Sequence, residues 1–442
     1  MVPFLIFLLL ALPVVPVPAA GSQKPGSIQE AEAAFERKQY DRALALLEPL
    51  TSQGSGPLEA QRLKIKVLVR LNRPPDALQE YERLEARTGK DDAPLLREVA
   101  IAFILAVLKD MREQMRGAGY TALKEIEADE AIPHFEDGLS DTSGLVRALA
   151  VEGLGRLEAG RRSPRLRTAL EDRAAIVRVA ALKALGRSGD RSVMPLVERS
   201  LDDEQPIVRV AAAGAQAMLG KSEGWIRVRA SASAPNPEER SAALRMLGEL
   251  RDRRALPVLQ EALAVPQPSV RGAAAAALGD LGLPEAAPLL GQALRDPLPA
   301  VRTSAAVSLG ELHAAQSAPA LKEAMTDANP AVRAAAVSAL LRLGHSYEDI
   351  AQTIRELAQQ TDPGIRASAA RALSHGRGKD VVEMLRLLLD DPLPRPRIAA
   401  ARALGHVGGA ETVGVLKKAL RDQDNAVSAT AAGALGRVLS PR

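Results

Sequence analysis

The stretch from Asp296 to Gly310, which reads DPLPAVRTSAAVSLG, decides the fold. Its arginine, Arg302, belongs to a series that returns every 31 residues and continues, after a two-residue slip, with Arg366 and Arg397. Self-similarity at a fixed period of this length is typical of stacked repeats. The sequence therefore predicts an array of one repeated unit rather than a single globular core. The regularly spaced members are Arg116, Arg147, Arg178, Arg209, Arg240, Arg271, Arg302 and Arg333.

Positions around each arginine define two helices per unit. Ala305 and Leu309 stand three and seven residues after Arg302, so they share one face of a helix that we call helix B. Pro299 suits the first turn of that helix, and Gly commonly stands eleven residues after the Arg, where a left-handed C-cap is expected. A second proline column opens apolar stretches such as residues 288–294, which we predict as helix A.

An Asp stands six residues before the arginine in eight of the eleven repeats. Such an Asp can cap helix B, or it can accept a bidentate bond from an Arg of its own or an adjacent repeat. Guanidinium groups near the core need acceptors, so we predict a structural ladder rather than a ligand site. Ser428 replaces the last Arg, where we expect no further repeat to bridge. The predicted ladder comprises Asp110, Arg116, Asp141, Arg147, Asp172, Arg178, Asp203, Arg209, Asp296, Arg302, Asp327, Arg333, Asp391 and Arg397.

The pattern Asp-x-x-x-x-Val-Arg-x-x-Ala-x-x-Ala-Leu-Gly resembles the HEAT repeat, in the short bacterial variant called phycobilisome-lyase-type HEAT-like repeats. The resemblance covers residues 93–439 in about eleven copies. It implies an all-α fold, an α-solenoid whose helical hairpins form a right-handed superhelix with the B helices on the concave face. It also implies protein–protein scaffolding and carries no catalytic residue. Eleven units at a helix spacing of about 8–10 Å predict an arm of roughly 100 Å.

Residues 27–92 resemble tetratricopeptide-like (TPR-like) helices, since Ala43 and Ala77 are 34 residues apart in similar surroundings. Two interpretations stay open for this segment. It either caps the open end of the HEAT stack or forms a separate peptide-binding groove.

The first 20 residues predict a targeting segment. Residues 4–12 are apolar and small residues follow at 17–21, as in a secretory signal peptide, with residues 21–26 as a linker. Because no Lys or Arg precedes the apolar run, a membrane anchor formed by residues 2–20 is the alternative. We predict a periplasmic or secreted bacterial protein. The net charge of +4 is mild for 442 residues, and aromatic residues make up only 2%, which argues against a dedicated nucleic-acid binder.

A search for chemistry yields no candidate active site. Residues 220–224 match a nucleophile elbow, but they lie in a turn between helices rather than between a strand and a helix. None of the five His is followed by Glu, unlike the His-Glu pairs that hold iron in HEAT-type deoxyhypusine hydroxylases. We therefore expect no enzyme activity, no catalytic residue, no cofactor and no metal site.

Function in a solenoid depends on the variable positions of its concave face. Positions five and nine residues after each Arg should point there, and they are basic at both ends of the array and acidic in the middle. The C-terminal basic band is the best candidate for binding an anionic partner, against the alternative of a solvated basic face. We predict a non-catalytic, extracytoplasmic protein-binding scaffold; a chromophore-lyase-like role and nucleic-acid binding are the alternatives. The band comprises Arg342, Arg371, His375, Arg402, His406 and Arg437.

Overall fold

The computed structural model describes residues 27–52 and 56–440, which fold into helices joined by short turns. The predicted signal peptide and the linker at 21–26 lie outside the described residues. Of the helices that are described, none is both long enough and apolar enough to cross a membrane.

Five helices open the described chain. The first four form two helical hairpins, and the fifth packs against the third and fourth. They are α1 (Ile28–Glu36), α2 (Tyr40–Thr51), α3 (Leu58–Arg70), α4 (Pro74–Thr88) and α5 (Ala93–Val107).

The array continues as alternating A and B helices, with one A helix divided into two short helices. In chain order these are α6 (Glu113–Leu123), α7 (Ile132–Gly138), α8 (Gly144–Arg156), α9 (Glu158–Arg161), α10 (Arg165–Thr168), α11 (Ala175–Gly186), α12 (Met194–Arg199), α13 (Pro206–Met218), α14 (Ser222–Ser231), α15 (Pro237–Glu249) and α16 (Ala255–Ala262). There follow α17 (Pro268–Leu281), α18 (Ala287–Ala293), α19 (Pro299–Glu311), α20 (Ala318–Ala324), α21 (Pro330–Arg342), α22 (Ala351–Ala358), α23 (Pro363–Ala372), α24 (Lys379–Leu389), α25 (Pro394–Val407), α26 (Ala410–Ala419) and α27 (Asn425–Val438). Single 3-10 turns begin or extend several of the A helices.

Eleven units follow from this order, each an A helix and a B helix, and the predicted all-α solenoid is confirmed. Unit 1 is α5 with α6, and the B helices of units 2–11 are α8, α11, α13, α15, α17, α19, α21, α23, α25 and α27. Neighbouring B helices contact each other extensively, whereas neighbouring A helices touch little. The array therefore curves with its B helices on the inside, and we call their exposed surface the inner wall.

The end of helix B follows the sequence prediction. Gly282 and Gly344, both eleven residues after a ladder position, have φ of 73° and 89°. Arg251 and His313 occupy the same place in other units and also have positive φ, of 51° and 50°. The turn between units therefore requires the left-handed conformation even where no glycine relieves it.

Small residues set the spacing between B helices. A β-carbon at Gly310 of α19 would lie 2.8 Å from the Cα of Ala339 in α21. Such a contact is too close for any side chain, so the helices are as near as their backbones allow. Behind it, Ala305 and Leu309 are completely buried. The expected Ala and Leu columns therefore form the core between units.

The array closes on itself. Helix α27 packs on α25 of the preceding unit and, on its other side, on α5 and α6 of unit 1. A β-carbon at Gly433 of α27 would lie 2.6 Å from the carbonyl oxygen of Ala122 in α6, a contact as close as those between regular units, although this glycine stands five rather than eight residues after the ladder position. The eleven B helices thus form a ring, and the expectation of an extended arm was wrong. We call the contact of α26 and α27 with α4, α5 and α6 the seam.

The TPR-like segment lies across the outside of the seam. Lys417 of α26 contacts Glu85 of α4, with its Nζ 2.5 and 2.6 Å from the two carboxylate oxygens. Arg421, which follows α26, pairs with Glu82 on the same helix. The segment therefore joins the two ends of the array and does not cover a free end.

Candidate partner-binding site on the inner wall

The ladder arginines join one unit to the next. Arg302 donates from Nε and Nη2 to the carboxylate of Asp327 in the following unit, at 2.7 and 2.8 Å. Its Nη1 donates to the carbonyl oxygen of Asp296 in its own unit, at 2.8 Å. Among the described residues seven such rungs form: Arg116–Asp141, Arg147–Asp172, Arg178–Asp203, Arg271–Asp296, Arg302–Asp327, Arg366–Asp391 and Arg397–Asp422.

Each rung Asp also organises the turn before helix B. Oδ1 of Asp327 accepts the backbone N–H of Asn329 at 2.8 Å, so the Asp braces the turn rather than capping the helix itself. Hydrogen bonds from Arg302 lower the pKa of Asp327, and they outweigh the opposing effect of burial. The rung arginines thus use their guanidinium groups for hydrogen bonds within the stack.

The ladder departs from the prediction at three members. Arg209 and Arg333 form no rung, because Ala234 and Gln360 stand where the next unit should supply Asp. Asp110 receives no Arg from a preceding unit and bonds Arg112 of its own turn instead.

Ser428 also needs a different explanation. We expected no further unit beyond it, but unit 1 is its neighbour across the seam, since α27 packs on α6. That expectation was wrong because the sequence does not reveal the closure of the ring. The seam therefore lacks a rung although both neighbouring units are present.

Three members of the predicted basic band meet around a pocket on the inner wall. Arg371 of α23 and Arg402 and His406 of α25 line a concavity of about 440 Å³. Its apolar floor includes Ile398 and Ala399 of α25. We call this concavity the arginine pocket; its remaining lining residues are Ser374, Pro394, Arg395 and Ala403.

Two of the three guanidinium groups of the arginine pocket, those of Arg371 and Arg395, lack acidic partners among the described residues. Among the described residues, no carboxylate lies within 4.0 Å of Arg371 or Arg395, and Arg371 donates only to the hydroxyl of Ser368, at 2.6 Å. Burial lowers the pKa of Arg371, and the charges of Arg395 and Arg402 lower it further. Three cations therefore crowd one pocket, and an anion placed among them would relieve their repulsion.

The histidines of the band are uncharged at neutral pH. Burial lowers the pKa of His375 to about 4, with the charges of Arg342 and His406 acting in the same direction. Burial also lowers the pKa of His406, and the charge of Arg437 lowers it further. The positive potential of the pocket at pH 7 thus comes from arginines.

Closing of the ring brings an acidic residue to one edge of the band. Glu125, just after α6, lies 3.2 Å from Nη1 of Arg437, 3.6 Å from Nε2 of His406 and 3.9 Å from Nε of Arg402. Arg437 is therefore paired across the seam, while Arg342 and His375 flank the arginine pocket on its other side. Of the six predicted residues, three line the pocket and three surround it.

Basic residues at the N-terminal end of the inner wall form ion pairs with an acidic residue of the same wall. Lys183 and Arg187 of unit 3 both pair with Glu249 of unit 5, at 2.6 and 2.9 Å. These bonds span the intervening unit and reflect the tight curvature of the inner wall. Burial raises the pKa of Asp280 and of Glu311, which continue the acidic arc beyond Glu249. The two basic bands therefore differ in how much of their charge is free.

Sequence reasoning missed Arg395 and Ile398. Arg395 precedes Arg402 by seven residues, which places both on one face of α25. That spacing was readable from the sequence, but only the positions five and nine residues after the ladder Arg were considered. In the part of the chain that the structure describes, no cluster of three or more His, Asp or Glu is placed to hold a metal ion.

The fold and its repeats identify the class of protein as an α-solenoid of helical hairpins. A family model described as HEAT repeats matches residues 163–224, 226–310, 287–374, 318–394 and 381–442, which is more than half of the chain. The chain belongs to the HEAT-repeat family. None of the curated protein sequences compared with the chain matches it.

Several solved structures are similar to parts of the chain. Human deoxyhypusine hydroxylase in complex with glycerol is 22% identical over 56% of this chain and 96% of its own, with a TM-score of 0.27. The complex of CpcE and CpcF of phycocyanin lyase from Nostoc sp. PCC7120 is 22% identical over 59% and 92%, with a TM-score of 0.35. Kap95p bound to RanGDP is 14% identical over 93% and 64%, with a TM-score of 0.36. Likenesses this low say nothing further about function.

Proposed function

We propose that the protein is a non-catalytic scaffold that binds another protein on the inner wall of its ring and holds an acidic segment of that partner in the arginine pocket. HEAT solenoids generally bind proteins. The observation that carries the proposal is the pair of guanidinium groups, of Arg371 and Arg395, that lack carboxylates within 4.0 Å among the described residues. Arg371 and Arg395 are exposed, so each can donate to a carboxylate of a partner without first breaking an ion pair among the described residues.

The chemistry of the pocket indicates the kind of segment it would take. An Arg fork binds carboxylates bidentately, and three such forks surround a floor that includes Pro394 and Ile398. An Asp or Glu next to an aliphatic side chain satisfies both parts of the pocket. The acidic arc of Glu249, Asp280 and Glu311 on another part of the inner wall would repel that segment and favour basic residues of the same partner.

Nucleic acid is a less suitable occupant of this pocket. Phosphates would satisfy the guanidinium groups, but sequence-tolerant binding of single strands also uses aromatic side chains on which bases stack. The residues that line the arginine pocket include no Phe, Tyr or Trp. Aliphatic side chains of a peptide fit the floor better.

Binding of a fluorescent peptide of alternating Glu and Leu, followed by anisotropy, tests the proposal. Arg371→Glu with Arg395→Glu should weaken binding by more than about tenfold, because each charge-assisted hydrogen bond is worth about 1.5–3 kcal/mol. Arg377→Glu with Arg386→Glu makes the same change in net charge outside the pocket and should leave affinity within about twofold.

Equal losses in both double variants, or no saturable binding to the unchanged protein, would contradict the proposal. Displacement of the peptide by a single-stranded oligonucleotide at a lower concentration would favour the nucleic-acid alternative instead.

We propose an extracytoplasmic location on the strength of the apolar residues 4–12 and the small residues at 17–21. The test is to express the chain in a Gram-negative host and determine the N-terminus of the purified protein by mass spectrometry. An N-terminus near residue 20 in the periplasmic fraction supports the proposal. An uncleaved chain in the membrane fraction supports the anchor, and one in the cytoplasm contradicts both.

A further inference from the structure

The seam contains the hydrogen-bond acceptors of a rung but not the arginine that would donate to them. In the seven rungs, Nη1 of the Arg bonds the carbonyl oxygen of the residue six before it, which is Asp in five of them, while Nε and Nη2 bond the next unit's carboxylate, as at Arg397. The equivalent groups at the seam are the carbonyl oxygen of Asp422 and the carboxylate of Asp110. Ser428 stands between them, and its hydroxyl donates to the carbonyl oxygen of Asn425, at 3.1 Å.

The space left by the short Ser428 side chain is open. A cavity of about 440 Å³ lies here between α4, α5 and the start of α27. Its polar side includes Asp110, Asp422 and Ser428. Its apolar side includes Phe103 and Val107 of α5 together with Leu420 before α27. A carboxylate and a free carbonyl thus face a cavity whose walls suit a hydrocarbon stem.

Arg112 makes one of the two interactions that the missing arginine would make, the one with the carboxylate of Asp110. Its Nε and Nη2 lie 3.0 and 2.9 Å from the carboxylate oxygens of Asp110, two residues earlier in the same turn. The Arg112 side chain is 61% exposed, unlike the rung arginines, of which Arg397 is 7% exposed. Arg112 reaches only the carboxylate, and within the described part of the chain no donor bonds the carbonyl oxygen of Asp422. An exposed pair of this kind is weak and easily exchanged.

We propose that the seam is a binding site for the guanidinium group of an arginine on a partner protein. The arginine stem lies along Phe103, Val107 and Leu420. Its guanidinium bonds the carbonyl oxygen of Asp422 and displaces Arg112 from the carboxylate of Asp110. The partner thereby completes the eighth rung in trans and joins the last unit to the first. The seven rungs within the chain supply the geometry, so the site is independent of the arginine pocket.

Titration with N-acetylarginine amide, followed by NMR chemical shifts or calorimetry, tests the site on the full chain. Arg112→Gln removes the internal competitor and should tighten binding severalfold. Ser428→Arg fills the rung from within and should abolish binding while raising the Tm. Arg386→Gln removes an exposed arginine elsewhere and should leave binding unchanged. N-acetyllysine amide should bind more weakly, because it cannot bridge the carbonyl and the carboxylate with a planar fork.

No saturable binding to either the unchanged protein or Arg112→Gln overturns the proposal, as does equal binding by Ser428→Arg. If Ser428→Arg fails to fold, Asp110→Asn replaces it, since loss of the carboxylate should also abolish binding. Retained affinity in a folded Asp110→Asn variant then overturns the site.

Discussion

The interface between units 7 and 8 and the seam between units 11 and 1 are both closely packed, but they differ in register and in polar contacts. Both bring a glycine against a neighbouring backbone, Gly310 against Ala339 and Gly433 against Ala122. Only the first adds a rung, Arg302 with Asp327, whose side chains are 16% and 14% exposed. The seam relies on ion pairs such as Arg421 with Glu82, at 49% and 34% exposure. Close packing thus suffices to close the ring, and the ladder strengthens every interface it reaches.

Removing one rung should have the largest effect. Arg302→Ala leaves Asp327 partly buried without its partner, so we expect a loss of about 3 kcal/mol in the free energy of unfolding, at the lower end of the range for buried pairs. Arg421→Ala at the seam should cost about 0–1 kcal/mol, as exposed pairs usually do. Urea unfolding followed by circular dichroism compares the two variants. Equal urea midpoints for the two variants would contradict the claim that a rung stabilises its interface more than an exposed ion pair stabilises the seam.

A larger side chain at either glycine contact should disturb the protein, but in different ways: one substitution should lower stability and the other should open the ring. Gly310→Val forces units 7 and 8 apart within the array and should cost about 1–3 kcal/mol, as overpacked cores do. Gly433→Val forces α27 away from α6, so the ring should open while its units stay folded. The radius of gyration from small-angle X-ray scattering should rise in Gly433→Val with little change in helical content. An unchanged radius would contradict the role of this contact.

Acid should also weaken the regular interfaces, but the loss of stability at each rung should be smaller than that caused by the substitutions above. The hydrogen bonds from Arg271 lower the pKa of Asp296, as those from Arg147 do for Asp172, because both favour the ionised form. A carboxyl whose pKa is lowered on folding adds stability above its unfolded pKa of about 3.9, and this stability is lost as the pH falls through the folded pKa. The urea midpoint should therefore stay level near neutrality and fall below about pH 4. Asp296→Asn should reduce that dependence, and an unchanged slope would contradict the pairing.

Much of the repeat unit could be predicted from the sequence because its causes are local. The spacing of Ala305 and Leu309 defines one helix face. The arginines in the column of Arg302 need carboxylate acceptors such as Asp296, whatever the overall shape of the array. The closure could not be predicted, since it is the sum of small rotations at ten interfaces and no single residue marks it. Ser428 was misinterpreted for that reason, and the pairing of Lys183 with Glu249 depends on the same curvature.

The arginine pocket was only partly predictable for a related reason. Columns counted from the ladder Arg found Arg371 and Arg402 but not Arg395, which lies about two helical turns before Arg402. Which basic residues are free depends on contacts between distant units. Glu125, for example, reaches Arg437 only because the ring closes.

The most direct test of the closed ring is a distance across the seam. The chain has no cysteine, so Arg83→Cys on α4 and Lys418→Cys on α26 introduce two specific sites for spin labels at exposed positions. Double electron–electron resonance should give one short distance, within about 30 Å, because the two helices are neighbours. An open array of eleven units would place its ends roughly 100 Å apart. A distribution without the short distance would contradict the closed ring.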